Sequence, residues 1–151
     1  MTRPAQVRFE IESSRDVRCP PAALMDLILD PSSWPRWQPE IVATEGPDRV
    51  ASGDVVRGHA TMLGFNVQGH STAVETAPDV FVEDVIVGVR MRVTYATTPS
   101  GDGAVITHSL RSDLPTGIWG RVLSLFLRSR LRRMQRAALD ELVRQAEASC
   151  S

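Results

Sequence analysis

The sequence predicts an α+β fold in which a seven-stranded, antiparallel, curved sheet wraps around one long C-terminal helix. Residues 7–12 alternate apolar and polar side chains, which is typical of a half-buried strand. Six further short segments lie within residues 41–111, separated by turns that contain glycine or proline. Residues 117–147 then change to a helical period. A meander of this length must curl, and the apolar face of the helix is the partner that it needs.

Two short helices are predicted between the first and second strands. Pro20 and Pro21 begin the first helix, since proline is tolerated in an opening turn. Leu24 and Ile28 belong to its buried stripe, and Pro31 ends it. A turn-like stretch with two tryptophans follows.

Length and composition predict a single domain spanning residues 1–151. Hydrophobic residues make up 42% of the chain and charged residues 23%, an ordinary balance for a folded soluble protein. The 17 basic and 18 acidic residues give a net charge of −1. We therefore expect no nucleic-acid partner, because such binding relies largely on a basic surface.

Cysteine usage and the terminal sequence predict a cytoplasmic protein. Cys19 and Cys150 are too few for a disulfide scaffold and belong to no Cys/His cluster, so we expect reduced thiols and no metal site. The N-terminus lacks the apolar run of a signal peptide. Residues 118–127, the longest apolar stretch, contain Arg121 and are too short to be a transmembrane segment. No glycine-rich nucleotide loop follows a strand, so no cofactor is expected.

Predicted turns decide which side chains face the helix, because a one-residue change of register moves a strand's side chains to the other face. A turn at residues 63–64 pairs Gly58 with Gly69, and a turn at 77–78 pairs Ser71 with Asp84. A turn at 87–88 pairs Asp84 with Met91, and a loop at 99–103 places His108 beside Val93. The three turns select the same inner set of side chains. On the outer face, the same registers set Glu83 opposite Arg92 as a cross-strand charge pair.

The predicted inner face combines small residues with few polar groups. Its small residues are Gly58, Ala60, Gly69, Ser71 and Ala73. Small side chains under a long helix leave space, so we expect a cavity. A buried carboxylate is costly unless it is partnered or protonated, which makes Asp84 the most informative inward residue.

Asp84, Tyr95 and His108 are the candidate catalytic residues. They would act as general acid or base and as hydrogen-bond donor on an enolisable ligand. The alternative is that each has a quiet local partner, as Ser71 would be for Asp84. His59 and His70 are predicted on the outer, polar face and are not expected to take part.

The predicted ligand-contacting residues come from the sheet, the tryptophan-containing turn and the first half of the long helix. They are Trp34, Trp37, Val56, Gly58, Ala60, Val67, Gly69, Ser71, Val82, Met91, Val93, Ile118, Val122 and Phe126. The two tryptophans either close the mouth of the cavity or anchor a short helix to the sheet edge.

Several segments carry a resemblance to a known superfamily. They are residues 20–28, Asp30-Pro31, Trp34-Pro35-Arg36-Trp37-Gln38-Pro39, Gly53-Asp54-Val55-Val56, Gly101-Asp102-Gly103 and residues 139–147. From about residue 7 to residue 147, the chain resembles the START-like, Bet v 1-type (SRPBCC) superfamily with its helix-grip fold. Within it, the polyketide cyclase/dehydrase and lipid-transport branch is the most similar. The match is one of order and pattern, without an invariant catalytic signature.

The resemblance implies a ligand tunnel between the sheet and the final helix. Members of the family bind apolar or aromatic ligands there, some cyclise or dehydrate polyketides, and others carry lipids or serve regulatory roles. The leading expectation is therefore a protein that binds a small hydrophobic ligand: polyketide-like, aromatic or lipid. The alternatives are a cofactor-independent cyclase or dehydratase, and a regulatory or protein-interaction module. Cyclising members place residues such as arginine in the pocket, whereas the registers above turn Arg57, Arg90 and Arg92 outward.

Two surfaces of the last helix would serve the interaction alternative. Five arginines, Arg128, Arg130, Arg132, Arg133 and Arg136, either dock an anionic partner or form a solvated face. Residues 118–127 are apolar almost all round, so they either contact a second subunit in a homodimer or pack within the chain's own core.

Overall fold

The computed structural model describes residues 7–62, 64–87, 90–114 and 118–150, with side chains described for 10–61, 64–87, 90–112 and 125–150. The strands are β1 (Val7–Val17), β2 (Ile41–Glu45), β3 (Val55–Met62), β4 (Phe65–Ala77), β5 (Val80–Ile86), β6 (Arg90–Ser100) and β7 (Gly103–Leu114). The helices are α1 (Pro21–Ile28), α2 (Trp34–Trp37) and α3 (Ile118–Cys150), with a 3₁₀ turn at Pro31–Ser33.

The strands form one antiparallel, seven-stranded sheet in the order β1-β7-β6-β5-β4-β3-β2. From β2 to β7, each strand pairs with the next one along the chain. β1 lies at the edge opposite β2 and pairs with β7 from Val7↔Leu114 to Val17↔Ala104. The curved sheet packs against α3. Along the chain, α1 and α2 lie between β1 and β2. The predicted fold class is therefore confirmed.

The segment between β1 and β2 is held together by prolines, a cap and a tryptophan. Proline occupies the first position of α1 and of the 3₁₀ turn, where its missing N–H costs nothing. The carboxylate of Asp30 accepts a hydrogen bond from the backbone N–H of Ser32 and so caps that turn. The indole N–H of Trp34 donates to the carbonyl of Ile28 at 2.9 Å, which ties α2 to the end of α1.

The inner face of α3 is an apolar stripe with one polar member. Its buried residues are Leu131, Gln135, Ala138, Leu139, Leu142 and Ala146, which recur at helical spacing. Gln135 is 4% exposed, so its amide must find partners inside the protein. The helix continues to Cys150, three residues beyond the predicted end at 147.

The predicted register of β3 against β4 is confirmed. Met62 pairs with Phe65, and Gly58 with Gly69. Gly64 has a φ of +81°, in the left-handed region that glycine reaches without strain.

The predicted face of β5 is wrong, because two local features shift this strand. The β4–β5 turn lies at Pro78 and Asp79, one residue later than predicted, and the register changes again at Val74 between Ala73 and Glu75. A bulge of this kind adds one residue to one strand. A shift of one residue in the pairing moves every side chain of the neighbouring strand to the opposite face of the sheet. Glu83 therefore points inward, and Asp84 pairs across the outer face with Arg92.

The predicted faces of β6 and β7 are correct, although their register is shifted by two residues. Tyr95 pairs with His108, and Ser100 with Gly103, because only Gly101 and Asp102 form the turn. Gly101 adopts a φ of +57°, which permits so tight a connection. An even shift leaves each side chain on its predicted face.

Cys19 and Cys150 are joined by a disulfide, with Cα atoms 6.1 Å apart, so the expectation of two reduced thiols is wrong. The bond links the chain just before α1 to the last turn of α3. The two residues are 131 positions apart, and only folding brings them together. None of the helices in the described ranges has the length and apolar character that a membrane crossing requires.

Candidate functional site

A cavity of about 140 Å³ lies between the sheet and α3 and opens to solvent over part of its wall. The volume is close to the roughly 150 Å³ of an engineered apolar cavity that holds a benzene ring. Most of the wall is apolar. Its polar members are Gln38, Glu40, Thr44, His59, His70, Ser71, Glu83, Tyr95, His108 and Gln135.

Many of the residues predicted from the sequence lie on this wall. They are Trp34, Val56, Gly58, Ala60, Gly69, Ser71, Met91, Val93, Tyr95 and His108. Small side chains at Gly58 and Gly69, which pair across β3 and β4, help to leave the space open.

Five predicted site residues are not on the described cavity wall: Trp37, Val67, Val82, Asp84 and Phe126. The prediction that Asp84 faces the cavity is wrong: its carboxylate is on the outer face and accepts two hydrogen bonds from Arg92. Val82 lies on the same outer face of β5 as Asp84, for the same reason. Val67 is half-buried but is not among the described wall residues. Phe126 is 58% exposed on α3, at a helical position that points away from the sheet.

Trp37 is a core residue and not a lid. It is 1% exposed, its indole N–H donates to Ser33 Oγ at 3.0 Å, and its ring meets Tyr95 edge-on at 6.0 Å. Ile118 and Val122 belong to the helical backbone, but their side chains lie outside those that the structure describes.

The carboxyl group inside the cavity belongs to Glu83. The side chain is 5% exposed, and Ser71 Oγ donates a hydrogen bond to Glu83 Oε2 at 2.5 Å. Burial raises the pKa of Glu83 to about 7, and the bond from Ser71 offsets only part of this rise. The group is therefore poised to gain or lose a proton near neutral pH.

A second carboxyl group in the same cavity is that of Glu40, the residue that directly precedes β2. Its Oε2 atom is buried and has no hydrogen-bond partner among the described residues. Burial raises the pKa of Glu40 above its usual value. Burial also raises the pKa of Tyr95, and the charges of Glu83 and Glu40 add to that rise. All three residues line the same cavity.

The tautomer of His108 follows from its contacts with Gln135. The Gln135 Nε2 group lies 3.0 Å from the carbonyl oxygen of His108 and 3.3 Å from that of Ile11, and carbonyls only accept. Ser13 Oγ donates to the Gln135 Oε1 atom at 2.7 Å, which agrees with this orientation. The same Nε2 group lies 2.7 Å from His108 Nδ1, so Nδ1 is the acceptor and the proton resides on Nε2.

His108 is neutral at physiological pH. Burial lowers its pKa to about 4, and its ring lies against that of Tyr95, edge to face at 4.6 Å. A neutral imidazole with its proton on Nε2 is a hydrogen-bond donor and not a cation.

No arginine lines the cavity within the described ranges, and the sequence has no lysine. His59 and His70 border the cavity, but both side chains are exposed to solvent, as expected for the outer face. Among the residues described, no three His, Cys, Asp or Glu side chains converge as a metal site would require.

The five arginines predicted as a cluster on α3 are exposed between residues 128 and 136. Arg128 reaches the carbonyl oxygen of Glu10 on β1 at 3.4 Å. The cluster is therefore a surface feature, separate from the cavity.

Sequence reasoning missed Glu40, Glu83 and Gln135. A signal existed for Gln135, because it interrupts the stripe of Leu131, Ala138 and Leu142 at helical spacing. Glu83 and Asp84 are adjacent acids on one strand, so only the true register tells them apart. Glu40 lies in a turn, where no periodic pattern assigns a side chain to a face.

Comparison with known proteins places this arrangement in a family. Residues 8–147 match the family described as polyketide cyclase / dehydrase and lipid transport. No curated protein matches the sequence.

Solved structures with the same fold are numerous. TTHA0849 from Thermus thermophilus is 19% identical, with a TM-score of 0.80 over 94% of this chain and 99% of that one. The Zhui aromatase/cyclase from Streptomyces sp. R1128 is 16% identical, with a TM-score of 0.77 over 95% and 96%. The di-domain aromatase/cyclase StfQ of the steffimycin pathway is 18% identical, with a TM-score of 0.73 over 93% of this chain and 50% of that one. At these identities the likeness establishes the fold, and with the match over residues 8–147 the chain belongs to the polyketide cyclase/dehydrase and lipid-transport family.

Proposed function

We propose that this protein binds one small apolar molecule, aromatic in character, in the cavity between the sheet and α3. The observation that carries the proposal is the cavity itself: about 140 Å³, walled mainly by apolar side chains, with a few polar groups that fix orientation. Membership of a family that includes lipid transport and ring-forming enzymes supports the same function.

Filling the cavity tests this proposal. Ala138 lies on the cavity wall and is 8% exposed, whereas its neighbour Ala137 is exposed to solvent and does not line the cavity. Ala138→Leu should weaken the binding of toluene and benzyl alcohol at least ~10-fold, because the new side chain occupies their space. Ala137→Leu is the matched control and should leave both affinities unchanged. Equal affinities in the two variants would refute binding in this cavity.

A second candidate function, proton transfer on the bound molecule, is favoured by the surroundings of Glu83. A carboxyl with a pKa of about 7 suits general acid–base catalysis at neutral pH. Glu83 would take a proton from the carbon beside a ligand carbonyl, and the resulting enolate oxygen would accept hydrogen bonds from His108 Nε2–H and the Tyr95 hydroxyl. Reprotonation at carbon or oxygen returns Glu83 to its starting state, so no redox change is needed. The aromatase/cyclases of the same fold support this candidate.

Hydrogen–deuterium exchange tests the second candidate without knowledge of the natural substrate. Acetophenone fits the single-ring size, and exchange of its methyl protons in deuterated buffer is followed by NMR. The protein should accelerate the exchange, and Glu83→Gln should reduce that acceleration by roughly 100-fold or more. Asp84→Asn, which alters the neighbouring acid on the outer face, should keep it. No acceleration by the unaltered protein would leave ligand binding as the function.

A further inference from the structure

The described cavity wall contains two carboxyl groups and no arginine or lysine. Glu83 and Glu40 both face it, and burial raises the pKa of each. His108 is neutral, and no arginine lies on the described wall. An ionised carboxylate in such surroundings loses its hydration without gaining a counter-charge.

The two carboxyl groups also keep unused hydrogen-bonding capacity. Glu40 Oε2 is buried without a partner in the described part of the chain. Glu83 is 5% exposed, and Ser71 Oγ engages its Oε2 atom. A carboxylate accepts several hydrogen bonds, and an ammonium group offers three N–H donors. Each acid therefore has room for a donor supplied by a ligand.

Two aromatic rings line the same cavity as the acids. Trp34 and Tyr95 line it together with Glu40 and Glu83. The faces of such rings attract cations through their quadrupole, most strongly where water is excluded. Carboxylates and aromatic rings together are complementary to a positively charged group and repel an anion.

We propose that the ligand of this cavity is a small apolar amine, whose ammonium group lies at the end lined by Glu40, Glu83 and Tyr95. This inference rests on the proposed binding function and specifies its ligand class. A neutral ligand would leave the acids protonated or without a counter-charge, and a carboxylate ligand would add a third negative charge. An amine seated here would hold the Glu83 carboxylate in an ion pair, so it would inhibit any proton transfer by that residue.

The pH dependence of amine binding follows from the groups that face Glu83. On the described wall these are Glu40 before β2, His59 on β3, His70 on β4, Tyr95 on β6 and His108 on β7, while the described α3 residues on the wall do not titrate. Glu83 must lose its proton to pair with the ammonium. Because the pKa of Glu83 is about 7, benzylamine should bind about ten-fold more tightly at pH 8 than at pH 6. At pH 6, binding should release close to one proton for each amine bound.

Calorimetric titration with three ligands of one shape tests the inference. Benzylamine, benzyl alcohol and benzoate share a ring with one carbon attached and differ in charge. At pH 8 benzylamine should bind at least ten-fold more tightly than benzyl alcohol, and benzoate should bind more weakly than both. Benzyl alcohol should show no gain in affinity between pH 6 and pH 8.

Single substitutions show whether the acids cause the preference. Glu83→Gln preserves the shape and the contact with Ser71, and should lower benzylamine affinity at least ten-fold while leaving benzyl alcohol within three-fold. Glu40→Gln should act in the same direction. Glu75→Gln removes an exposed acid on β4 and is the control that should change neither affinity.

The outcomes separate this inference from the function on which it rests. Benzyl alcohol binding with no preference for benzylamine would overturn the amine assignment and retain the binding function. Equal losses of both ligands in Glu83→Gln would also overturn it, because the effect would then be one of shape. If neither ligand binds at either pH, the proposed binding function itself fails.

Discussion

Glu83 and Asp84 are consecutive residues on β5 whose carboxyl groups lie in opposite environments. Glu83 is buried in the cavity against Ser71, and burial raises its pKa to about 7. Asp84 lies outside, where the hydrogen bond from Arg92 lowers its pKa; the Nε–Oδ1 distance is 2.8 Å. The alternation of a strand has thus given two similar acids different protonation states at neutral pH.

The pH dependence of stability should reveal Glu83. Its pKa is raised from 4.5 in the unfolded chain to about 7 in the folded protein, so the folded state holds the proton more tightly. Stability present below pH 4.5 is therefore lost as pH rises through 7, by about 3 kcal/mol. Glu40 acts in the same direction. His108, with its pKa lowered from 6.5 to about 4, does the reverse, and loses stability as pH falls through that range.

Urea unfolding from pH 4.5 to 8 measures these contributions. Glu83→Gln removes the first one, so its free energy of unfolding should gain about 3 kcal/mol relative to the unaltered protein between pH 4.5 and 7.5. Asp84→Asn should follow the unaltered protein in this range, because the pKa of Asp84 is already below it. Parallel profiles for Glu83→Gln and the unaltered protein would show that Glu83 is not buried.

Gln135 should fix the proton of His108. Replacing it by leucine leaves Ser13 Oγ, His108 Nδ1 and two backbone carbonyls without their partner, at a cost of about 2–4 kcal/mol. Nitrogen NMR should show the Nε2–H tautomer of His108 in the unaltered protein and a changed tautomer in the variant. Gln68→Leu, on the exposed face of β4, is the control for the chemical change. An unchanged His108 spectrum in Gln135→Leu would contradict the assignment.

The paired glycines Gly58 and Gly69 should respond differently to alanine. A methyl group at Gly69 would lie 2.7 Å from the backbone oxygen of Ile86, so Gly69→Ala should lower the free energy of unfolding by about 1–3 kcal/mol. At Gly58 the nearest atom is the Ala43 oxygen at 3.5 Å, an ordinary contact. Gly58→Ala should therefore be neutral or stabilise by up to about 1 kcal/mol. Similar losses in both variants, measured by urea unfolding, would count against this packing.

Breaking the disulfide should lower stability. It closes a span of 131 residues, so reduction with dithiothreitol should cost about 2–4 kcal/mol in urea unfolding. Cys150→Ser should show the same loss and no further response to the reductant. A full response to dithiothreitol in this variant would assign the effect to something other than the Cys19–Cys150 bond.

Much of the fold was predictable because each element has a local cause. Alternation marked the strands, Pro20 and Pro21 marked the start of α1, and the apolar stripe marked α3. The register of β3 against β4 was also predictable, since Gly64 permits the tight turn between them. The register of β5 was not, because the bulge at Val74 arises from how neighbouring strands twist and pair.

The sequence by itself determined the order of the elements, the helical stripe and the small residues that leave a cavity, since these depend on side-chain size and spacing along the chain. Only the tertiary structure decided that Glu83 and not Asp84 enters the cavity, that Glu40 joins it there, and that Gln135 sets the proton of His108. The reason is that each of these depends on contacts between segments far apart in the chain, and a shift of one residue in a strand exchanges the faces on which those contacts form.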